Sequence, residues 1–215
     1  MSGPLSGTGR LGDDLYLVAH HEITGKPHLP PRALGLGLAA GLLGELMLAR
    51  AIHLHGGLVM TGDRIQPDDH LTSTVLEVIH AEREPLAIRD WLLFLARTAD
   101  RDIGRRLADA GYLASASGRW LSRSPRWVPV DPDSAFAPLV RVKAALSTPD
   151  PAAAQHVLLG RLAAACGLAH QLSLYLPSDA GRRLDQAASY LNPGLRELTA
   201  ATQAAVDSAL LAHRA

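Results

Sequence analysis

Apolar positions recur every three to four residues over most of this chain, the period that gathers them on one side of an α-helix. Leu11, Leu15 and Val18 predict a short first helix ending near His20. Thr24-Gly25-Lys26-Pro27 and Pro30-Pro31 then make a rigid connector, because proline fixes its own φ and restricts the residue before it. Residues 33–52 are nearly all apolar, Gly or Ala, and a helix that is apolar all round belongs in the centre of a bundle. Asp68-Asp69 suit the cap of a helix running through Ile79. Ile88, Trp91, Leu92 and Leu95 place another helix within residues 85–98, and a further one over residues 100–110 stops at Gly111. From Ser134 onward, Pro149, Pro151, Pro177 and Pro193 divide the chain into four or five more helices.

The helical period fails in two places. Ile52-His53-Leu54-His55 alternates, and after Gly56-Gly57 comes Leu58-Val59-Met60, the pattern of a small hairpin. Tyr112-Leu113, Trp120-Leu121 and Trp127-Val128-Pro129-Val130 are separated by Ser, Gly and Arg and predict a second, more exposed hairpin. Neither a long linker nor an internal repeat interrupts the chain. The expected fold is mainly α: one compact helical domain over residues 11–215, built around a central apolar helix with a small protruding β-hairpin, after a flexible N-terminus at residues 1–10.

Composition narrows this further. The 215 residues are 47% hydrophobic but 4% aromatic, so Leu and Ala carry the apolar content and too few β-branched and aromatic residues remain for an all-β fold. Twenty-one basic residues balance 21 acidic ones, which argues against a broadly cationic nucleic-acid binder. The single Cys166 lies in an Ala/Leu run and reads as a buried core residue. Arg10 and Asp13-Asp14 ahead of the short apolar run 15–19 do not follow the order of a signal peptide, and Glu45 and Arg50 interrupt the apolar run 33–51. The chain reads as soluble and cytoplasmic.

Catalytic patterns are weak. Gly7-Thr8-Gly9-Arg10-Leu11-Gly12 satisfies G-x-G-x-x-G, but too little chain precedes Gly7 for the strand a dinucleotide site requires. His53 and His55 share one strand face without further ligands at metal-binding spacing, and His20-His21 suit a helix C-terminus, where a protonated imidazole is favoured. Asp13-Asp14 and Asp68-Asp69 fall where helix caps are expected. Patterns for an activated serine, a zinc hydrolase or a nucleotide-binding loop are missing. No enzyme, metal or cofactor is expected.

The arginines are more informative. Only Lys26 and Lys143 are lysines, so 19 of the 21 cations carry the planar guanidinium that binds phosphate bidentately. Residues 97–127 hold seven arginines (Arg97, Arg101, Arg105, Arg106, Arg119, Arg123, Arg126) against three aspartates, a local charge of +4. The i, i+4, i+8 spacing of Arg97, Arg101 and Arg105 predicts one shared helix face. Trp120 and Trp127 follow among Arg119, Arg123 and Arg126, and cations beside interfacial indoles suit an anionic bilayer surface. A solvated arginine-rich helix with two tryptophans packed on the core fits the same residues.

Four stretches together resemble the Golgi phosphoprotein 3 family in its bacterial branch. They are Leu15-Tyr16-Leu17-Val18-Ala19-His20-His21-Glu22-Ile23-Thr24-Gly25-Lys26, Gly37-Leu38-Ala39-Ala40-Gly41-Leu42-Leu43-Gly44-Glu45-Leu46, Arg106-Leu107-Ala108-Asp109-Ala110-Gly111-Tyr112-Leu113 and Arg161-Leu162-Ala163-Ala164-Ala165-Cys166-Gly167-Leu168. The resemblance implies a non-enzymatic helical domain with a protruding hairpin. Eukaryotic members bind phosphatidylinositol 4-phosphate in a basic pocket beside that hairpin, attach peripherally to Golgi membranes and hold the cytosolic tails of glycosyltransferases. Some self-associate through the hairpin. Pro30 and Ala39 stand where the family pocket has a tryptophan and an arginine. The other pocket arginines come from the helix before Gly111, where Arg97, Arg101 and Arg105 are available, and Arg32 is the substitute for the missing cation. The expectation is a peripheral adaptor for anionic phospholipid, with phosphoinositide as one choice. Its headgroup site is Arg97, Arg101, Arg105 and Arg32, and its membrane-contacting hairpin carries Arg119, Trp120, Leu121 and Arg123. A protein client and a homo-oligomer made through the hairpin are further implied partners. The alternative is a soluble oligomeric interaction module that binds no lipid.

Overall fold

Pro30-Pro31 start the central helix α2 (Pro31–Leu48), where proline at the first helical position loses no hydrogen bond. In the computed structural model, which describes residues 8–62, 67–116, 126–147 and 154–212, α2 runs through the middle of the domain. Leu38, Leu42, Leu43 and Leu46 are fully buried, and each contributes roughly 1.5–3 kcal/mol of apolar burial. By length and composition α2 could cross a membrane, but here it is the core against which α1 (Leu11–Ala19), α4 (Ile88–Leu95), α5 (Ala99–Asp109), α7 (Ala154–Ala165) and α10 (Pro193–Leu211) pack. Close approach explains its glycines. A Cβ on Gly41 would lie 2.9 Å from Gly12 Cα of α1, and one on Gly37 would overlap the Cys166 sulfur.

The helix ends earlier than the apolar run suggests. Arg50 takes a left-handed φ of 60°, and the Ala51 N–H donates to the Leu46 carbonyl at 2.9 Å, so residues 51 and 52 leave the helix. The first hairpin follows, with β1 (Ile52–His55) antiparallel to β2 (Leu58–Thr61) and His55 opposite Leu58. Gly56 and Gly57 both have positive φ, as its two-residue turn demands. His53 and His55 are exposed on one face. Helix α3 (His70–Ala81) is capped by Asp69, which accepts from the N–H groups of Leu71 and Thr72.

Helix α5 stops before Gly111, whose φ is 80°. The second hairpin pairs β3 (Leu113–Ser115) with β4 (Trp127–Pro129), Ser115 facing Trp127. Five helices complete the domain: α6 (Pro132–Ser147), α7, α8 (Ala169–Tyr175), α9 (Ala180–Ala188) and α10. Pro177 separates α8 from α9, whereas Pro193 opens α10 instead of breaking a helix. Pro149 and Pro151 lie outside the described residues, as does most of the expected N-terminal tail.

Candidate functional site

Helix α5 has two faces of opposite character. Ile103 and Leu107 bury one side, and Arg101 and Arg105 stand exposed on the other. Arg97 does not share that helix. The chain turns at residues 96–98, so Arg97 precedes α5 and the expected single face is two segments. Arg97 is nevertheless exposed. Arg101 Nε donates to Asp102 Oδ1 at 3.0 Å, whereas Arg97 and Arg105 make no ion pair among the described residues. Gly35 packs so tightly on the Ala96 carbonyl that a Cβ there would lie 2.5 Å from its oxygen. This contact sets the first turn of α2, with exposed Arg32, beside the turn carrying Arg97. Arg119, Trp120, Leu121 and Arg123 lie outside the described residues.

The base of the second hairpin is braced on this surface. Trp127 is partly buried: a Cβ on Gly104 of α5 would lie 2.9 Å from its Cδ1 and 3.2 Å from the Tyr16 hydroxyl. Trp127 is therefore a packing residue rather than an interfacial one. Gly25, with φ 59°, lets the loop after α1 press against the Trp127 carbonyl. His20 begins that loop. Its ring stacks on Tyr16 at 4.0 Å, and its Nδ1 donates to the Tyr16 carbonyl at 2.8 Å, which turns Nε2 toward Asp100 Oδ1 at 3.6 Å. Burial holds the His20 pKa below its usual value and raises that of Asp100. Burial therefore works against the protonated imidazole expected at this helix end.

Arg106, one residue after exposed Arg105, has a role that the spacing of the arginines did not single out. Its Nη2 lies 2.7 Å from Asp13 Oδ1 and 2.9 Å from Glu45 Oε1, and its Nη1 reaches Glu45 Oε2 and Asp69 Oδ1, both at 3.1 Å. The Gly12 N–H also donates to Glu45 Oε1, at 2.6 Å. Burial raises the pKa of Asp13 and of Glu45. Burial alone would lower that of Arg106, but the surrounding carboxylates raise it. Asp14 meets Arg141 at 2.6 Å while its other oxygen is buried without a hydrogen-bond partner, and burial pushes its pKa up to about 6. Asp13 and Asp14 are therefore buried charges inside α1, not caps; the cap position belongs to Arg10, whose side chain makes no capping bond. Of the second pair, Asp69 caps α3, and Asp68 pairs with Arg10 at 3.2 Å.

Other groups offer little chemistry. A cavity of about 190 Å³ holds His20, His21, Glu22, His28 and Gln171, with Gln171 Nε2 and His28 Nδ1 2.9 Å apart. Among the described residues no three His, Cys, Asp or Glu side chains are arranged to hold a metal ion. Cys166 is buried, and burial pushes its thiol up to about 12, which keeps it protonated.

These features define a class: a mainly helical domain built on a buried apolar helix, in which an arginine-bearing helix leads into a two-stranded hairpin. The family model for Golgi phosphoprotein 3 (GPP34) matches residues 11–209, from the first residue of α1 into α10, and the chain belongs to the Golgi phosphoprotein 3 (GPP34) family. That family is not a known enzyme family. A search of curated proteins finds no match.

Proposed function

We propose that this protein is a non-enzymatic peripheral membrane adaptor. It binds anionic phospholipid headgroups, phosphoinositides among them, through Arg97, Arg101, Arg105 and Arg32, and touches the bilayer with the hairpin segment carrying Arg119, Trp120, Leu121 and Arg123. In this reading it works at the cytoplasmic face of a membrane and presents a protein client there. The observation that carries the reading is the contrast along α5. Arg106 is consumed by three carboxylates, whereas Arg105 on the same helix and Arg97 in the turn before it stand exposed without an ion pair among the described residues. A guanidinium held this way can take a phosphate oxygen without first giving up a carboxylate.

Co-sedimentation of the full chain with vesicles tests it. Binding is expected to vesicles containing phosphatidylserine or phosphatidylinositol 4-phosphate and not to phosphatidylcholine alone, and to weaken as salt rises. Each basic residue at such a surface contributes about 1 kcal/mol, so Arg101→Ala plus Arg105→Ala weakens binding roughly thirtyfold. Equal binding to neutral and anionic vesicles, or an unchanged double variant, rejects the proposal. If no vesicle binds and light scattering shows an oligomer, the chain is an interaction module instead.

A further inference from the structure

Helix α4 has more apolar surface than the core uses. Ile88, Trp91, Leu92 and Leu95 form its buried stripe. Leu93 and Phe94 lie outside that stripe, 48% and 47% exposed, where a helix of a globular domain normally carries polar groups. Phe94 does not dangle: its ring meets Trp91 edge-on, with centroids 5.9 Å apart and planes at 88°. Arg89 stands one turn before Leu93 and Arg97 one turn after it, both exposed. Arg101 and Arg105 on α5 are exposed as well, and so is Arg32 in α2, the helix whose Gly35 packs on the Ala96 carbonyl at the end of α4. Asp90 is the acid on this face of α4; beyond it, Asp100 faces His20 and Asp102 pairs with Arg101.

We infer that the outward face of α4 is a membrane-contacting surface separate from the hairpin, with Leu93 and Phe94 seated at the boundary between headgroups and acyl chains. Arg89 and Arg97 flank them at headgroup level. This rests on the lipid-binding reading above and adds to it the part of the molecule that enters the bilayer. Two features favour a bilayer as the occupant. Guanidiniums bracket the apolar pair, and their long stems let the charge stay at phosphate level while the helix sits lower. Two half-exposed side chains also fall far below the area of about 800 Å² per partner that a specific protein contact needs, but they suffice to supplement electrostatic attachment to a bilayer.

A fluorescent probe tests the inference in the full chain. Leu93→Cys takes a thiol-reactive nitrobenzoxadiazole label selectively, because Cys166 is buried and stays protonated. Tyr190→Cys, at a residue 81% exposed in the turn before α10, is the reference position. On addition of phosphatidylserine-containing vesicles, emission at residue 93 is expected to rise and move to shorter wavelength, while that at residue 190 stays put. Leu93→Ser plus Phe94→Ser should weaken vesicle binding about tenfold, keep the preference for anionic lipid and leave the melting temperature close to that of the parent. A silent label at residue 93 while the protein sediments with anionic vesicles overturns this inference and leaves the headgroup site standing. Failure to sediment with any vesicle overturns both. A serine double variant that binds vesicles at full strength but dissociates an oligomer in light scattering assigns the face to protein contact and also overturns it.

Discussion

Arg105 and Arg106 are neighbours in the chain, yet they live in different physical regimes. Arg105 points to water, where a guanidinium costs the fold nothing and is available to an anion. Arg106 is enclosed by Asp13, Glu45 and Asp69, drawn from α1, α2 and the cap of α3, and ties these elements to α5. One face of α5 is therefore structural and the other is the candidate site. Seven arginines in a run are not seven binding residues, and burial decides which are spent inside the molecule.

The largest expected effect breaks the structural face. Arg106→Met leaves Asp13 and Glu45 buried without their counter-ion and should cost about 3–5 kcal/mol in urea denaturation. If the loss is real charge imbalance, adding Glu45→Gln recovers part of it; a double variant no more stable than the single one would show that the guanidinium acts by packing alone.

A second, pH-dependent effect follows from Asp14. Its carboxyl binds a proton up to about pH 6 in the folded protein but only to its ordinary value of 3.8 when unfolded. Between those values the folded state holds the extra proton, so the contribution of this group is fully present below about pH 4 and is lost as pH rises through 6. Asp14→Asn, which stays neutral throughout, should therefore gain on the parent by on the order of 2–3 kcal/mol between pH 4 and 7. Denaturation curves at the two pH values check this. A difference that does not change with pH would mean that the Arg141 contact outweighs burial and keeps Asp14 ionised.

The smallest expected effect sharpens the other side. Arg101→Ala plus Arg105→Ala should move stability by no more than about 0.5 kcal/mol, because exposed charges contribute little to folding. A loss comparable to that of Arg106→Met would erase the distinction between the two faces.

Much of the architecture is legible in linear pattern. The apolar run from residue 33 announces a helix apolar on every side, though it ends at Leu48 and not at residue 52, and Gly56-Gly57 a tight hairpin turn, Asp69 a cap and Gly111 a helix stop, all in the expected roles. These are local effects: propensity, capping and the backbone freedom of glycine act within a few residues. The errors arise where a local rule meets a distant neighbour. Asp13-Asp14 has the composition of a cap, but the arrival of Arg106 and Arg141 from 93 and 127 residues away makes it a pair of buried charges. For Trp127 the sequence left an interfacial and a packed reading open, and the absence of a side chain at Gly104, which gives its ring a seat on α5, decides for the packed one.

The site divides the same way. That cations concentrate before the second hairpin is written in the order of residues, and so is the membership of the chain in its family. Even Arg106 leaves a trace, since it stands three residues after Ile103 and beside Leu107 on the apolar edge of α5, while Glu45 is the one acid in α2. Folding is needed to join these traces. Periodicity reports which way a side chain points from its own helix axis, whereas burial and pairing depend on which other elements arrive there. Arg97 parts from Arg101 because the chain turns at residues 96–98, and α2 closes on that turn because Gly35 has no side chain to meet the Ala96 carbonyl.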